Sequence, residues 1–461
     1  MKETFQRIDR LKQAAADWNH RFSLFRVPGR VNLIGEHTDY NNCPVLPMAV
    51  DRDILALAAP RKDQRVVIRD ANPAFGGLSF QLDYEITPFP TGNWGNYFKA
   101  GIQEMIDSWR DLPDDIEALR GFDMVIDSTI PPAAGMSSSS ALVVLSAMAF
   151  LSSNGIELSD PSQRLLLADL CAQGERYTGT QGGGMDQAAI LLAEQGSALK
   201  IDFHPLRTQP VRLPEGHSVV IAHSTVEAPK TQQTMEAYNR RSVECRLAAS
   251  LIGRYLERTC GISGIGYIGD LTPEKTGLTQ QQLTEAAEQA VLPTPYRIPQ
   301  LAESLGVSLR EAEQMVGSMG KRDFIEPAEG FQVHRRLSHV ITEWSRVEQS
   351  AEALEQGDAQ RFGEYMNASH ASCRDLHEIS CPELDELTEI SREAGAIGSR
   401  LTGAGFGGCT VNLVENRRLA SYFREVGERY YRCSRGLEQW DRHLFAVDPA
   451  DGAALLEKDI P

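Results

Sequence analysis

The chain has no run that approaches the ~18 apolar residues needed to span a bilayer. Its polar first segment, Met1 to Trp18, lacks the apolar core of a secretory leader. Cysteine is sparse: 8 residues in 461, with no CxxC pair. That excludes a disulfide framework or a cysteine zinc site and reads as reduced thiols. Positive charge is in deficit, 46 Lys+Arg against 63 Asp+Glu for a net −17. General binding to nucleic acid or to an anionic membrane needs a positive field, so both are excluded. There is no internal repeat and no low-complexity segment. The Walker pattern GxxxxGK[ST] is absent too, which rules out an ordinary P-loop. The expectation is a soluble cytoplasmic protein with small-molecule partners. A phosphate site remains open to it, because backbone N–H groups and one or two cations suffice to build one.

A chain of this length exceeds the ~250–300 residues at which single cores stop growing. Residues 1–215 and 216–461 are the expected domains. Phe22 to Pro28, Val45 to Leu57, Val66 to Arg69, Leu78 to Leu82 and Phe122 to Ser128 read as strands, with few helices among them. The fold class is therefore α+β, starting on a mixed sheet. Ser137 to Asn154 is apolar nearly all round and predicts a buried helix. Arg164 to Tyr177 and Met235 to Arg258 are further helices, and Ser197 to Phe203 and His217 to Ser224 further strands. Residues 261–321 keep a helical spacing of apolar residues despite breaks at Pro293, Pro295 and Pro299 and read as a helical insertion. Within it, Ser308 and Glu311 carry the pattern of a helix cap. Phe331 to Leu354 and Asp358 to Asp375 are helical, and a helix-strand pair closes the chain.

Four segments concentrate chemistry. Pro28 to Tyr40 (PGRVNLIGEHTDY) packs Arg30, Glu36, His37 and Asp39 into one loop marked by Gly29 and Gly35. Charged acceptors suit the vicinal hydroxyls of a polyol, and Arg30 suits negative charge developing in a transition state. The plainer reading is a charged turn. Ile130 to Leu142 (IPPAAGMSSSSAL) places small residues and four serines at the start of the buried helix. Free amides, the helix dipole and hydroxyls make such a terminus an anion site, or a hydroxyl source for Mg²⁺. The alternative is a serine cap with no ligand. Gly179 to Gln187 (GTQGGGMDQ) brings Asp186 after three glycines, where it suits a hydroxyl proton, with Glu175 nearby as a candidate Mg²⁺ ligand. Taken alone it reads as a turn with a capping Asp. Leu401 to Thr410 (LTGAGFGGCT) is glycine-rich, but a strand follows it rather than a helix, which argues against a dinucleotide fingerprint. A hairpin that supports the site is the other reading.

In this order the segments resemble the GHMP kinase superfamily, in its galactokinase and N-acetylgalactosamine kinase group. Arg30 to Tyr40 is similar to the galactokinase signature, Pro131 to Ala141 to the second, phosphate-binding motif, and Gly403 to Cys409 to the third. The likeness runs from about residue 20 to about residue 450. It implies two domains, the first related to ribosomal protein S5 domain 2 and the second α+β, with the site between them. It implies ATP and Mg²⁺ and transfer of the γ-phosphoryl group to the anomeric hydroxyl of galactose. The alternatives are N-acetylgalactosamine, or a sugar- and ATP-sensing regulator without turnover. By position, Asp186 is implied as the base and Arg30 as the transition-state stabiliser. Glu36, His37, Asp39, Gly183 and Tyr238 are implied for the sugar. Gly135, Ser137, Ser138, Ser139 and Ser140 are implied for the phosphates, Trp94, Tyr97 and Lys230 for the nucleotide, and Ser139 with Glu175 for the metal. The chain is expected to act as a monomer.

Overall fold

A computed structural model describes residues 2–18, 21–131, 135–179, 182–226, 232–319 and 326–460. The strand expected from Phe22 starts there but runs on past Pro28 to Ile34, forming β1 (Phe22–Ile34). Its second half is buried on both faces, so the alternation that marks a half-exposed strand disappears. A register shift between Pro28 and Arg30 breaks its pairing to β2 (Leu46–Pro60), and Arg30 lies just past that irregularity. β3 (Arg65–Asp70), β4 (Gly77–Gln81) and β5 (Phe122–Ser128) fall where expected.

Two further strands, β6 (Ser197–Asp202) and β7 (Arg207–Arg212), form a separate hairpin. β8 (His217–His223), β9 (Ala396–Thr402), β10 (Cys409–Glu415) and β11 (Leu444–Val447) make a second, antiparallel sheet in the order β11-β8-β10-β9. The closing segment is thus more than one helix-strand pair. After β11, a last strand β12 (Ala454–Ile460) returns to the first sheet and pairs antiparallel with β1. That sheet reads β12-β1-β2-β5-β3-β4 and is mixed, with β3 and β5 parallel. Leu455 and Leu456 of β12 are both exposed, so hydrophobicity does not alternate there as strand reading requires.

The all-apolar helix spans Ser138–Ser153 and is buried along most of its length. Beside it lies a helix the sequence concealed, Gly95–Ser108. Two glycines lower its intrinsic propensity, yet one of them is what lets it pack. A Cβ on Gly101 would stand 2.4 Å from the Val143 carbonyl oxygen of the buried helix. The long helix Gln232–Cys260 carries its own core, in which Leu247 and Leu251 meet Leu283, Ala287, Leu301 and Val316. Those partners come from helices Gln280–Ala290, Ile298–Leu305 and Leu309–Met319. The expected cap is present: the Glu311 amide donates to the Ser308 hydroxyl at 3.3 Å and the Ser308 amide to the Glu311 carboxylate at 2.7 Å. Residues 320 and 321 lie outside the described residues. All eight cysteines are free thiols. No described helix is long and apolar enough to cross a membrane.

Candidate active site

Three of the four chemical segments meet at one carboxylate. Asp186 sits in the first turn of the helix Met185–Leu192, directly after the glycine run. Its Oδ1 accepts from the Arg30 guanidinium at 2.6 Å, and Arg30 Nη1 donates on to the Gly135 carbonyl at 2.7 Å. Its Oδ2 accepts from the Ser137 hydroxyl and, at 3.3 Å, from that of Ser140. Ser140 also donates to Glu175 Oε1 at 3.2 Å, and Gln187 donates to Glu175 Oε2 at 2.6 Å. Ser137 holds a left-handed φ of 53° just before the buried helix, which turns the chain into the helix's first amides. The fourth segment is the β9–β10 turn, and it backs this loop. A Cβ on Gly403 would lie 3.0 Å from the Gly135 carbonyl oxygen.

Ser138 and Ser139 occupy the first helical turn, both half-buried. Ser140, not Ser139, is the hydroxyl bonded to Glu175. Trp94 immediately precedes the helix Gly95–Ser108 and Tyr97 lies in its first turn, both half-buried against the first core. Pro132 to Ala134 and Lys230 lie outside the described residues. Among the described residues no group of three His, Cys, Asp or Glu side chains converges as a metal cluster would.

The Glu36–Asp39 loop is buried beside this centre. Asp39 Oδ2 accepts from the Gly183 amide at 3.1 Å and the Met185 amide at 3.5 Å. A Cβ on Gly183 would come within 2.2 Å of the Asp39 carbonyl carbon, so only glycine admits this approach. Tyr238 stands with its ring 4.9 Å from that of His37. Both ring nitrogens of His37 are engaged within the protein, one with the Tyr40 hydroxyl at 3.0 Å and one with the Ala404 carbonyl at 3.1 Å. Glu36, 1% exposed, is paired with Arg400, which is itself fully buried on β9, at 2.8 Å. Arg400 donates further to the Asn32 carbonyl at 3.0 Å and the Ser369 hydroxyl at 3.1 Å. Glu343 caps the loop from behind, accepting from the Gly35 amide at 3.0 Å and the Glu36 amide at 3.3 Å. Sequence reasoning missed Arg400 and Glu343. An arginine set between Ser399 and Leu401, in a strand buried throughout its second half, was the available signal, since Arg is almost never fully buried unless paired.

Burial pushes the Asp39 carboxyl up to about 6, with the charge of Asp186 as the second cause. The same two causes push Glu175 up to about 7. An acid that keeps its proton longer when folded favours folding at low pH. That contribution is lost as pH rises through the folded value. For Asp39 the window runs from 3.8 to about 6. Asp39→Asn, which keeps an acceptor for the two amides, should therefore gain stability relative to the wild type as pH rises from about 4 to about 7. Urea unfolding across that range checks this, and a flat difference would show that Asp39 titrates as it does in water.

The galactokinase galactose-binding signature matches residues 17–60, the GHMP kinases N-terminal domain residues 96–194, and the GHMP kinases C-terminal domain residues 350–432. A galactokinase of Dictyostelium discoideum is 36% identical, over 95% of this chain and 90% of its own. The chain belongs to the galactokinase family. A Saccharomyces cerevisiae galactokinase is 32% identical over 94% of this chain and 91% of its own. The crystal structure of Lactococcus lactis galactokinase complexed with galactose superposes with a TM-score of 0.73 at 27% identity, covering 99% of this chain and 100% of that one. The Methanococcus jannaschii mevalonate kinase, at 16% identity and a TM-score of 0.53, shares the fold. The two-domain GHMP kinase fold and an ATP-dependent sugar-kinase activity follow from this membership.

Proposed function

We propose that the chain phosphorylates the anomeric hydroxyl of α-D-galactose with ATP, giving galactose 1-phosphate and ADP. The observation that carries this reading is the single carboxylate of Asp186, reached at once by the first-strand arginine, the serine loop and the glycine run. Asp39 and Tyr238 hold sugar hydroxyls, with Gly183 allowing the close approach. Glu36 and His37 form the wall of the pocket. Asp186 orients the attacking hydroxyl and receives its proton. With Arg30 and two serines already donating to it, it acts more by placement than by basicity. Arg30, nearly buried, supplies positive charge where the transferring group becomes negative. Gly135 and Ser137 to Ser140, at the N-terminus of a helix, cradle the phosphates, and the family resemblance assigns Trp94, Tyr97 and Lys230 to the nucleotide.

The donor set suits Mg²⁺: two carboxylates and several hydroxyls, all hard oxygens. Glu175 and Asp186 repel each other, a strain that a cation relieves. Glu175, with Ser139 or Ser140, would hold it. Such an ion neutralises charge on the β- and γ-phosphates. Eight free thiols fit a reducing compartment such as the cytoplasm. A coupled ADP-release assay over a sugar panel tests the proposal. Turnover with galactose is expected. A faster rate with N-acetylgalactosamine would overturn the substrate, and no ADP with any sugar would overturn the activity.

A further inference from the structure

We propose that Tyr40 and His377 are positioning residues that fix the tautomer of His37 and seat the Glu36–Asp39 loop against the turn at Ala404. This rests on the sugar-kinase reading above. Neither residue was marked out by the sequence. His377 lies in the irregular helical turn Cys373–His377, far from the loop along the chain.

The hydrogen positions follow from the partners. The Ala404 carbonyl can only accept, so His37 Nε2 carries a proton and donates to it at 3.1 Å. His37 Nδ1 is then a bare acceptor and takes the Tyr40 hydroxyl proton at 3.0 Å. That spends the single Tyr40 proton. The Tyr40 oxygen must therefore accept from His377, 3.1 Å away, and His377 Nε2 is its protonated nitrogen. His377 Nδ1 is left unprotonated, buried and without a partner. Polarity thus runs one way, from His377 through Tyr40 and His37 to Ala404, and reversing any link removes a bond. Burial supports it by keeping both imidazoles neutral, His37 down to about 3 and His377 well below its ordinary value.

A third histidine, His339, completes the clamp. His339 stacks 4.3 Å from His377, donates from Nε2 to the Glu36 carbonyl at 3.0 Å and accepts from the Ser372 hydroxyl at 2.8 Å. The loop is therefore gripped at Glu36 directly and at His37 through Tyr40. Ala404 belongs to the same turn whose Gly403 backs the serine loop. The relay ties the sugar-side loop to the frame of the phosphate side without itself touching a reacting atom.

Tyr40→Phe removes both Tyr40 bonds while keeping the ring. Losing even one such bond in a buried site is a change of about tenfold, so losing both is at least that. The KM for galactose should rise at least about tenfold while the KM for ATP stays within about twofold. Nitrogen-15 NMR of His37 should show a single Nε2–H tautomer in the wild type and a mixture in Tyr40→Phe. His377→Gln places an amide donor where Nε2 stood and should keep the sugar KM within about threefold of wild type, whereas His377→Leu, which removes only the His377–Tyr40 bond, should raise it more than His377→Gln and less than Tyr40→Phe. Equal changes in both KM values, an unaltered His37 tautomer in Tyr40→Phe, or a His377→Gln no better than His377→Leu would each overturn the proposal. A wild type that releases no ADP with any sugar would overturn the sugar-kinase reading instead, and the NMR comparison would then decide the relay alone.

Discussion

Asp186→Ala should lower kcat on galactose by about a thousandfold, within the range seen when a positioned acid or base is removed. Nucleotide affinity, measured by calorimetry without sugar, should stay within about threefold. The contrast follows from what Asp186 touches. Its carboxylate accepts from Arg30, Ser137 and Ser140, and its side chain keeps 23% exposure, open to an incoming hydroxyl. The serine-loop amides proposed to hold the phosphates belong to the neighbouring helix and remain after the substitution. Asp186→Ala also leaves the Arg30 charge without its partner, so Asp186→Asn is the cleaner companion. The asparagine retains an acceptor but not a charge and should fall nearly as far. Turnover within about tenfold of wild type in both variants would remove Asp186 from the reaction.

Arg400→Met should be the most damaging change for stability. It leaves Glu36 buried and unpaired, a situation that costs about 3–5 kcal/mol when one partner of a buried pair is deleted. Burial pushes the Glu36 carboxyl up, and Arg400 is the largest influence opposing that rise. Without Arg400, Glu36 takes up a proton instead of remaining charged, which caps the loss in acid. The urea midpoint should therefore drop more at pH 8 than at pH 5. The double variant Arg400→Met with Glu36→Gln should recover much of the loss, because the stranded charge is gone. A drop of less than about 1 kcal/mol at pH 8 would place the pair among those that contribute little.

Much of this site was legible as short segments with a chemistry. Asp186 after the glycines, Arg30 in the charged segment and the serines before the buried helix together resembled one kinase family, and they meet at one carboxylate, although Arg30 lies on the first strand and not in a loop. Their register could not be read. Four successive serines look alike in sequence, and only the helical rotation shows that Ser140 rather than Ser139 reaches Glu175. Long-range partners were equally hidden. Arg400, Glu343 and His377 reach the sugar-side loop from hundreds of residues away, and no local period announces such pairings. The same holds for the fold. The buried helix Ser138–Ser153 declared itself by its apolar run, whereas the helix Gly95–Ser108 was masked by Gly101, whose missing side chain serves a neighbour and not its own helix.

The pairing of β12 with β1 has a bearing on how the molecule is made. The strand that carries Arg30 is made some four hundred residues before its outer neighbour. Through most of synthesis one edge of β1 therefore offers unsatisfied amides and carbonyls to any passing strand.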